Sequence, residues 1–214
     1  MRKTTVYLYM FCLLALFFAS CVKKVDASGS ERLDASEIDK LLKKLKGVPS
    51  IPVGPNEMGY IKTNYGTIKI KFYTDKDPKT CASFKRLANS GFYNGTTFHR
   101  VVPGFVIQGG DILSRDVIRA NDGTGDPGFT VDAEISDLKH KKGSLSMARL
   151  PSDLNSASSQ FFICLENLPN LDGGYTVFAE VAEGLDIVDR IATAQRDGRD
   201  NPLERIEMIK VWVK

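Results

Sequence analysis

From Met58 onward the chain is a succession of short apolar, strand-like runs broken by glycine-rich loops, and this pattern limits the possible folds more than any other. Ile68, Ile70 and Phe72 alternate with Lys69 and Lys71, the period of a strand with one buried face. Asn64-Tyr65-Gly66 just before them suits a hairpin turn. Further runs follow at 98–102, 105–108, 144–148, 160–165, 176–181 and 206–213. Asp77-Pro78 opens a helix that carries Ala82, Phe84, Leu87 and Ala88 to a stop at Gly91, and a second helix covers 185–194. Many short strands with two helices predict a mainly β fold: a closed antiparallel barrel whose open ends the helices cover. No internal repeat or low-complexity segment interrupts it.

The first 21 residues differ in kind. Arg2 and Lys3 precede an apolar run over 6–18 that ends in Ala19-Ser20-Cys21, the order of a secretory signal peptide. The run falls short of the about 20 apolar residues that a membrane-spanning helix needs. Phe18-Ala19-Ser20-Cys21 resembles the bacterial lipobox, whose cysteine becomes the lipidated first residue of the mature protein, although Phe18 stands where that motif usually has an aliphatic residue. A plain secretory peptide or an uncleaved anchor are the other readings of these residues. With Cys21 as the lipidation site, the expected location is a bacterial cell envelope, facing the periplasm and held to a membrane.

Residues 22–33 are polar and small, as a tether would be. Asp34 and Glu37 then form a capping-box start for Ile38, Leu41, Leu42 and Leu45 at helical spacing, closed by Gly47. This short amphipathic helix is expected to dock on its own domain rather than on a partner or the membrane. Pro49, Pro52, Gly54 and Pro55 follow as a semi-rigid linker. The chain thus divides into 1–21, a signal segment; 22–57, tether, helix and linker; and 58–214, one globular domain.

Net charge is +3, and removing Arg2 and Lys3 lowers the basic count from 29 to 27 against 26 acids, so overall charge gives no reason to expect a nucleic-acid or membrane-surface binder. If Cys12 leaves with the signal and Cys21 carries lipid, Cys81 and Cys164 remain. Cys81 falls in a helix and Cys164 in an apolar strand, so two buried, unpaired thiols are expected, with pairing left open.

Common catalytic motifs are missing: no Walker A loop, HExxH, GxSxG or CxxC occurs. His99 and His140 are the chain's two histidines, too few for a histidine-rich metal site. Gly123 to Gly128 matches GxGxxG by letter, but with a proline inside and neither a strand before nor a helix after. Chemistry concentrates instead in Phe98-His99-Arg100-Val101-Val102-Pro103-Gly104-Phe105-Val106-Ile107-Gln108-Gly109-Gly110-Asp111, where an arginine stands among apolar residues.

This stretch resembles the cyclophilin signature, FHR followed by two hydrophobic residues, then GF, Q and GD. Leu145-Ser146-Met147-Ala148-Arg149 with Ser159-Gln160-Phe161-Phe162-Ile163 resembles the family's LSMA and SQFFI blocks, and Leu171-Asp172-Gly173 through Val177-Phe178 its LDG-x-x-x-VF block. The resemblance covers about 58–214 and identifies the chain as a member of the cyclophilin-type peptidyl-prolyl cis-trans isomerases. It implies an eight-stranded barrel with two capping helices and a surface groove for a proline-containing segment. The family's catalytic arginine falls on Arg100, with Gln108 orienting it. The proline-ring pocket falls on Phe105, Val106, Phe162, Leu171 and Tyr175. Backbone contacts of the substrate fall on Gln108, Ala148, Arg149 and Gln160, and Gly123 lies beside the neighbouring pocket.

Several residues depart from the family pattern. Val106 is smaller than the usual methionine, Arg149 replaces an asparagine, Tyr175 replaces a histidine, and Asn170 stands where eukaryotic members have the tryptophan that helps bind cyclosporin. None removes the arginine. The resemblance implies no metal, cofactor or nucleic acid, a monomer, and unfolded or partly folded polypeptides as partners. The alternatives are a non-catalytic proline-binding module and a client-recruiting role for 34–46. Phe161 and Phe162 should point to opposite strand faces, one to the core and one to the groove. His99 needs no proton-transfer role and reads as a satisfied structural histidine.

Overall fold

The structure, a computed structural model, describes Lys24, Val25 and residues 31–214. The signal segment and Cys21 lie outside the described residues. Strands β1 (Lys24–Val25) and β2 (Glu31–Arg32) pair antiparallel and lead into helix α1 (Ala35–Lys46). The capping box forms: Asp34 Oδ1 accepts from the N–H of Ser36 at 2.8 Å and of Glu37 at 3.0 Å, while Glu37 Oε2 accepts from Asp34 N at 2.9 Å. The apolar stripe of α1 turns inward, burying Ile38 and Leu45 in the main core with Leu41 and Leu42 against it. Burial on this scale stabilises by about 1.5–3 kcal/mol per large side chain, which is why the helix docks on its own domain.

The domain itself is one antiparallel sheet of eight strands: β3 (Met58–Thr63), β4 (Gly66–Phe72), β5 (Arg100–Val102), β6 (Val106–Gly109), β7 (Ser144–Met147), β8 (Phe161–Cys164), β9 (Val177–Glu183) and β10 (Met208–Val213). They lie side by side in the order β10-β3-β4-β9-β7-β8-β6-β5. The β3–β4 hairpin closes through Thr63, whose Oγ1 accepts from Tyr65 N and Gly66 N and donates to Gly66 O. Alternation in β4 puts Ile68, Ile70 and Phe72 inside, where helix α2 (Pro78–Asn89) brings Phe84 to 5.7 Å from the Phe72 ring. Helix α3 (Leu185–Ala192) buries Val188 and Ile191 in the same core. Cys81 and Cys164 are buried and unpaired, and burial pushes each thiol up to about 12.

The expected closed barrel is not formed; the sheet is a curled half-barrel. Its two edges meet at the Thr97–Glu207 bridge, with Gly95 N donating to Met208 O and Phe98 N to Ile206 O. No ladder continues from there along β5 and β10. With three residues β5 is too short to line β10, and its Val101 N–H instead goes to Asp200 O in the loop before β10, at 2.8 Å.

Candidate active site

Strands β5, β6 and β8 are neighbours, and their register sets the site. Arg100 lies opposite Gln108, and Gln108 opposite Phe162, so all three side chains rise on one face. A turn at 103–105 brings Phe105 back over Val106. The result is a surface groove of about 170 Å³ lined by Arg100, Phe105, Val106, Gln108, Ala148, Arg149, Phe162, Leu171 and Tyr175. Phe161 and Phe162 do split: Phe161 is fully buried in the main core, and Phe162 joins Val106, Cys164 and Leu168 in a separate small cluster under the groove.

Gln160 and Gly123 stand beside this lining rather than in it, joined to it by a directed chain of hydrogen bonds. Arg100 Nη1 donates to Gln108 Oε1 at 3.4 Å, and Gln108 Nε2 donates to Gln160 Oε1 at 3.0 Å. Gln160 Nε2 in turn donates to the carbonyls of Gly123 and Gly125 at 3.0 and 3.1 Å. Each amide has its oxygen toward the arginine side and its nitrogen toward the loop, so the network fixes both. Buried Asp111 holds the far end, accepting from Leu113 N at 2.8 Å and from Gly123 N. Position 125 must be glycine, because a Cβ there would sit 2.2 Å from Asp111 Oδ1.

The opposite wall is Tyr175. The Arg149 guanidinium carbon lies 4.5 Å from its ring centroid, while Nε donates to Gly174 O and Nη1 to Leu150 O and Pro151 O. Behind the wall, His140 stacks on Phe162 with centroids 6.1 Å apart. Its Nδ1 is 3.0 Å from Asp172 Oδ1 and its Nε2 3.1 Å from Ser146 Oγ. This serine–histidine–aspartate chain is not a nucleophilic triad. Ser146 is fully buried, and its hydroxyl donates to Thr176 O at 2.8 Å.

His99 departs from the sequence reading. It is 5 % exposed, but neither ring nitrogen has a hydrogen-bond partner. Desolvation pushes it down to about 4 against the pull of Asp122, so it is neutral near pH 7 and structural without being satisfied. Asp111, Asp172 and Ser146 had no assigned role from sequence. All three lie in the quoted motif blocks, which is the signal that marks them.

The family model for cyclophilin type peptidyl-prolyl cis-trans isomerase/CLD matches residues 58–213. The peptidyl-prolyl cis-trans isomerase ppi1 of Schizosaccharomyces pombe is 44% identical over 152 residues, covering 70% of this chain and 94% of that protein. The peptidyl-prolyl cis-trans isomerase of Helicobacter pylori is 44% identical over 135 residues, 61% of this chain and 77% of the relative. A crystal structure of a cyclophilin type peptidyl-prolyl cis-trans isomerase from Cryptosporidium parvum, in the presence of the dipeptide Ala-Pro, superposes with a TM-score of 0.68 at 33% identity, covering 73% of this chain and 98% of that one. The superposition extends this chain's curled antiparallel half-barrel to that structure. The chain belongs to the cyclophilin family and is a cyclophilin-type peptidyl-prolyl cis-trans isomerase.

Proposed function

We propose that this isomerase accelerates X–Pro rotation in exported, unfolded or partly folded polypeptides, working as a monomer tethered to a bacterial membrane through lipid on Cys21. The observation that carries the catalytic part is the Arg100–Gln108–Gln160 chain beside the apolar cluster of Phe105, Val106, Phe162 and Leu171. Rotation about an X–Pro bond faces a barrier of about 18–20 kcal/mol because amide resonance must be broken. No bond is made or cut, so the chemistry needs no nucleophile. At the twisted transition state the prolyl nitrogen regains a lone pair, and Arg100 donates to it more strongly than to the planar amide. That is differential binding of the transition state by a donor already in place. The proline ring sits on Phe105, Phe162 and Leu171 against Tyr175, while Gln108, Ala148, Arg149 and Gln160 hold the flanking backbone and Gly123 borders the next residue's pocket.

The test is exchange of a short Ala-Pro peptide by the protein and its Arg100→Ala variant. Loss of one preorganised donor should cost roughly 10²–10³ in kcat with the fold intact. Arg100→Lys should recover little, because a point charge does not reproduce the planar fork. A folded wild type without acceleration would replace the enzyme by a proline-binding module. The tether is supported by the basic start, the apolar run over 6–18 and the lipobox-like Phe18 to Cys21. Labelled palmitate should enter the wild type during growth and not Cys21→Ser; label in both would sink the anchor.

A further inference from the structure

The outward face of the sheet at its β10–β3–β4 end is a field of lysines around two stacked aromatics. Residues directly opposite one another on antiparallel strands share a face, so the register says who stands beside whom. Trp212 lies opposite Tyr60 and Tyr60 opposite Lys69; Lys210 lies opposite Lys62 and Lys62 opposite Thr67. Lys71 lies opposite Met58, which exchanges both backbone hydrogen bonds with Lys214. The alternate residues Ile61, Ile68, Ile70, Val211 and Val213 fill the core. Lys62, Lys69, Lys71, Lys210 and Lys214 therefore share one surface of a chain whose formal net charge is only +3, leaving the remainder net negative.

The rings of Tyr60 and Trp212 stack with centroids 5.0 Å apart and planes at 6°. Lys210 Nζ lies 5.4 Å from the Trp212 centroid and Lys214 Nζ 5.3 Å from that of Tyr60. Among the described residues, Lys69 is the one of the five in an ion pair, with Glu183 of β9 at 2.8 Å. Glu180, opposite Lys71, accepts the Tyr73 hydroxyl at 2.7 Å. Like charges directly opposite on a sheet destabilise it, so folding gains nothing from setting Lys62 against Lys210. An anionic partner would.

The N-terminal arm leaves the fold beside this face. Arg32 Nη2 reaches Glu207, the residue before β10, at 3.1 Å, and Lys24 lies opposite Arg32. Cys21 is three residues earlier, at most about 11 Å along the chain. An anchor at Cys21 would therefore hold this edge of the sheet close to a bilayer. Long-stemmed lysines with tryptophan and tyrosine are the side chains that settle at a bilayer interface, where anionic headgroups attract each basic group.

We propose that the β10–β3–β4 face is a docking surface for an anionic phospholipid bilayer. The proposal rests on the membrane-anchoring reading above. None of its residues lines the groove. Trp212 is the chain's single tryptophan, so its fluorescence reports from the middle of the face. The full-length chain is mixed with vesicles carrying brominated acyl chains, made of phosphatidylcholine alone or with phosphatidylglycerol, and floated on a gradient. Trp212 emission should shift to the blue and fall roughly twofold with phosphatidylglycerol but not without it. Lys62→Glu together with Lys210→Glu should restore it, because charge attraction on this scale depends on each basic residue. Flotation on both vesicle types with Trp212 unquenched would overturn the docking face and leave the anchor standing. Flotation and quenching on phosphatidylglycerol vesicles alone would uphold the face and sink the anchor. Flotation on neither would sink both, and quenching by an oligodeoxythymidine instead of lipid would reassign the face to single-stranded nucleic acid.

Discussion

Replacing Asp77 by asparagine should stabilise the protein in mildly alkaline solution and leave it almost unchanged in acid. Asp77 is fully buried, and neither carboxylate oxygen has a hydrogen-bond partner. It occupies the N-cap position of α2 but makes no cap hydrogen bond. Glu134 has taken that role: its Oε1 accepts from Lys79 N at 3.0 Å and its Oε2 from Thr80 N at 2.8 Å. Burial first, then the charges of Glu134 and Asp75, push Asp77 up to about 7 from its ordinary 3.8, with Lys76 opposing. The folded state therefore holds this proton more tightly than the unfolded chain does. The stability that goes with it is fully present below 3.8 and is lost as pH rises through 7. A rise of roughly three pKa units is worth about 4 kcal/mol at 1.36 kcal/mol per unit. The start of the helix favours a carboxylate by up to about 1 kcal/mol, which leaves about 3 kcal/mol. Urea unfolding of both proteins at pH 4, 6 and 8 would measure it, and subtracting one from the other cancels the titrating groups that Asp77 does not touch electrostatically. Asp77→Asn should gain about 3 kcal/mol on the wild type between pH 4 and pH 8. A difference that stays flat, or a wild type that gains on the variant, would refute a buried, unpartnered carboxylate at this helix start.

The remaining expectations follow from single contacts. Gln160→Ala removes the acceptor of Gln108 and the clamp on the glycine loop; kcat/KM should fall roughly tenfold, while the melting point falls by no more than three lost hydrogen bonds of about 0.5–1.5 kcal/mol each allow. Leu45→Ala in α1 should cost about 2–5 kcal/mol in denaturant unfolding and leave peptide exchange unchanged; a negligible cost would mean that α1 is not part of this core. Because burial holds His99 down to about 4, the part of the stability that depends on it is present above 6.5 and lost as pH falls through 4. Peptide exchange should accordingly show no inflection between about pH 6 and 8 from this residue.

Where the fold was legible, a local period carried it. Ile68, Ile70 and Phe72 announced β4 because alternation alone decides which face is buried, and Asp34 with Glu37 announced α1 because a capping box is complete within four residues. The closed barrel failed for the opposite reason. Closure depends on whether β5 runs far enough to meet β10, and nothing within Arg100–Val102 reports on a strand about a hundred residues away. The overall charge hid the lysine face, since the net negative remainder of the chain offsets its five lysines. The site shows both limits at once. Its residue types were readable in motif blocks, but the link from Gln108 to Gln160 spans 52 residues and exists only after β6 and β8 pair. The packing of the Arg149 side chain over Tyr175 was likewise not legible, because it joins residues that lie on separate loops.

The groove rests on a core of its own. Val106, Phe162, Cys164 and Leu168 pack apart from the main cluster, and the polar chain of Ser146, His140 and Asp172 stands behind them. A buried polar network that is fully partnered specifies one arrangement, whereas an apolar cluster of similar size can repack. Phe162 is held from behind by the His140 ring and met edge-on by Tyr175 at 5.7 Å. The shape of the groove wall at Phe162 and Tyr175 thus depends on His140 keeping both partners. Loss of stability and loss of activity should therefore separate by location. Truncations in the main core lower the unfolding free energy while sparing turnover until the protein unfolds, whereas disturbing His140 lowers the turnover of the folded protein in addition to the stability its buried hydrogen bonds supply.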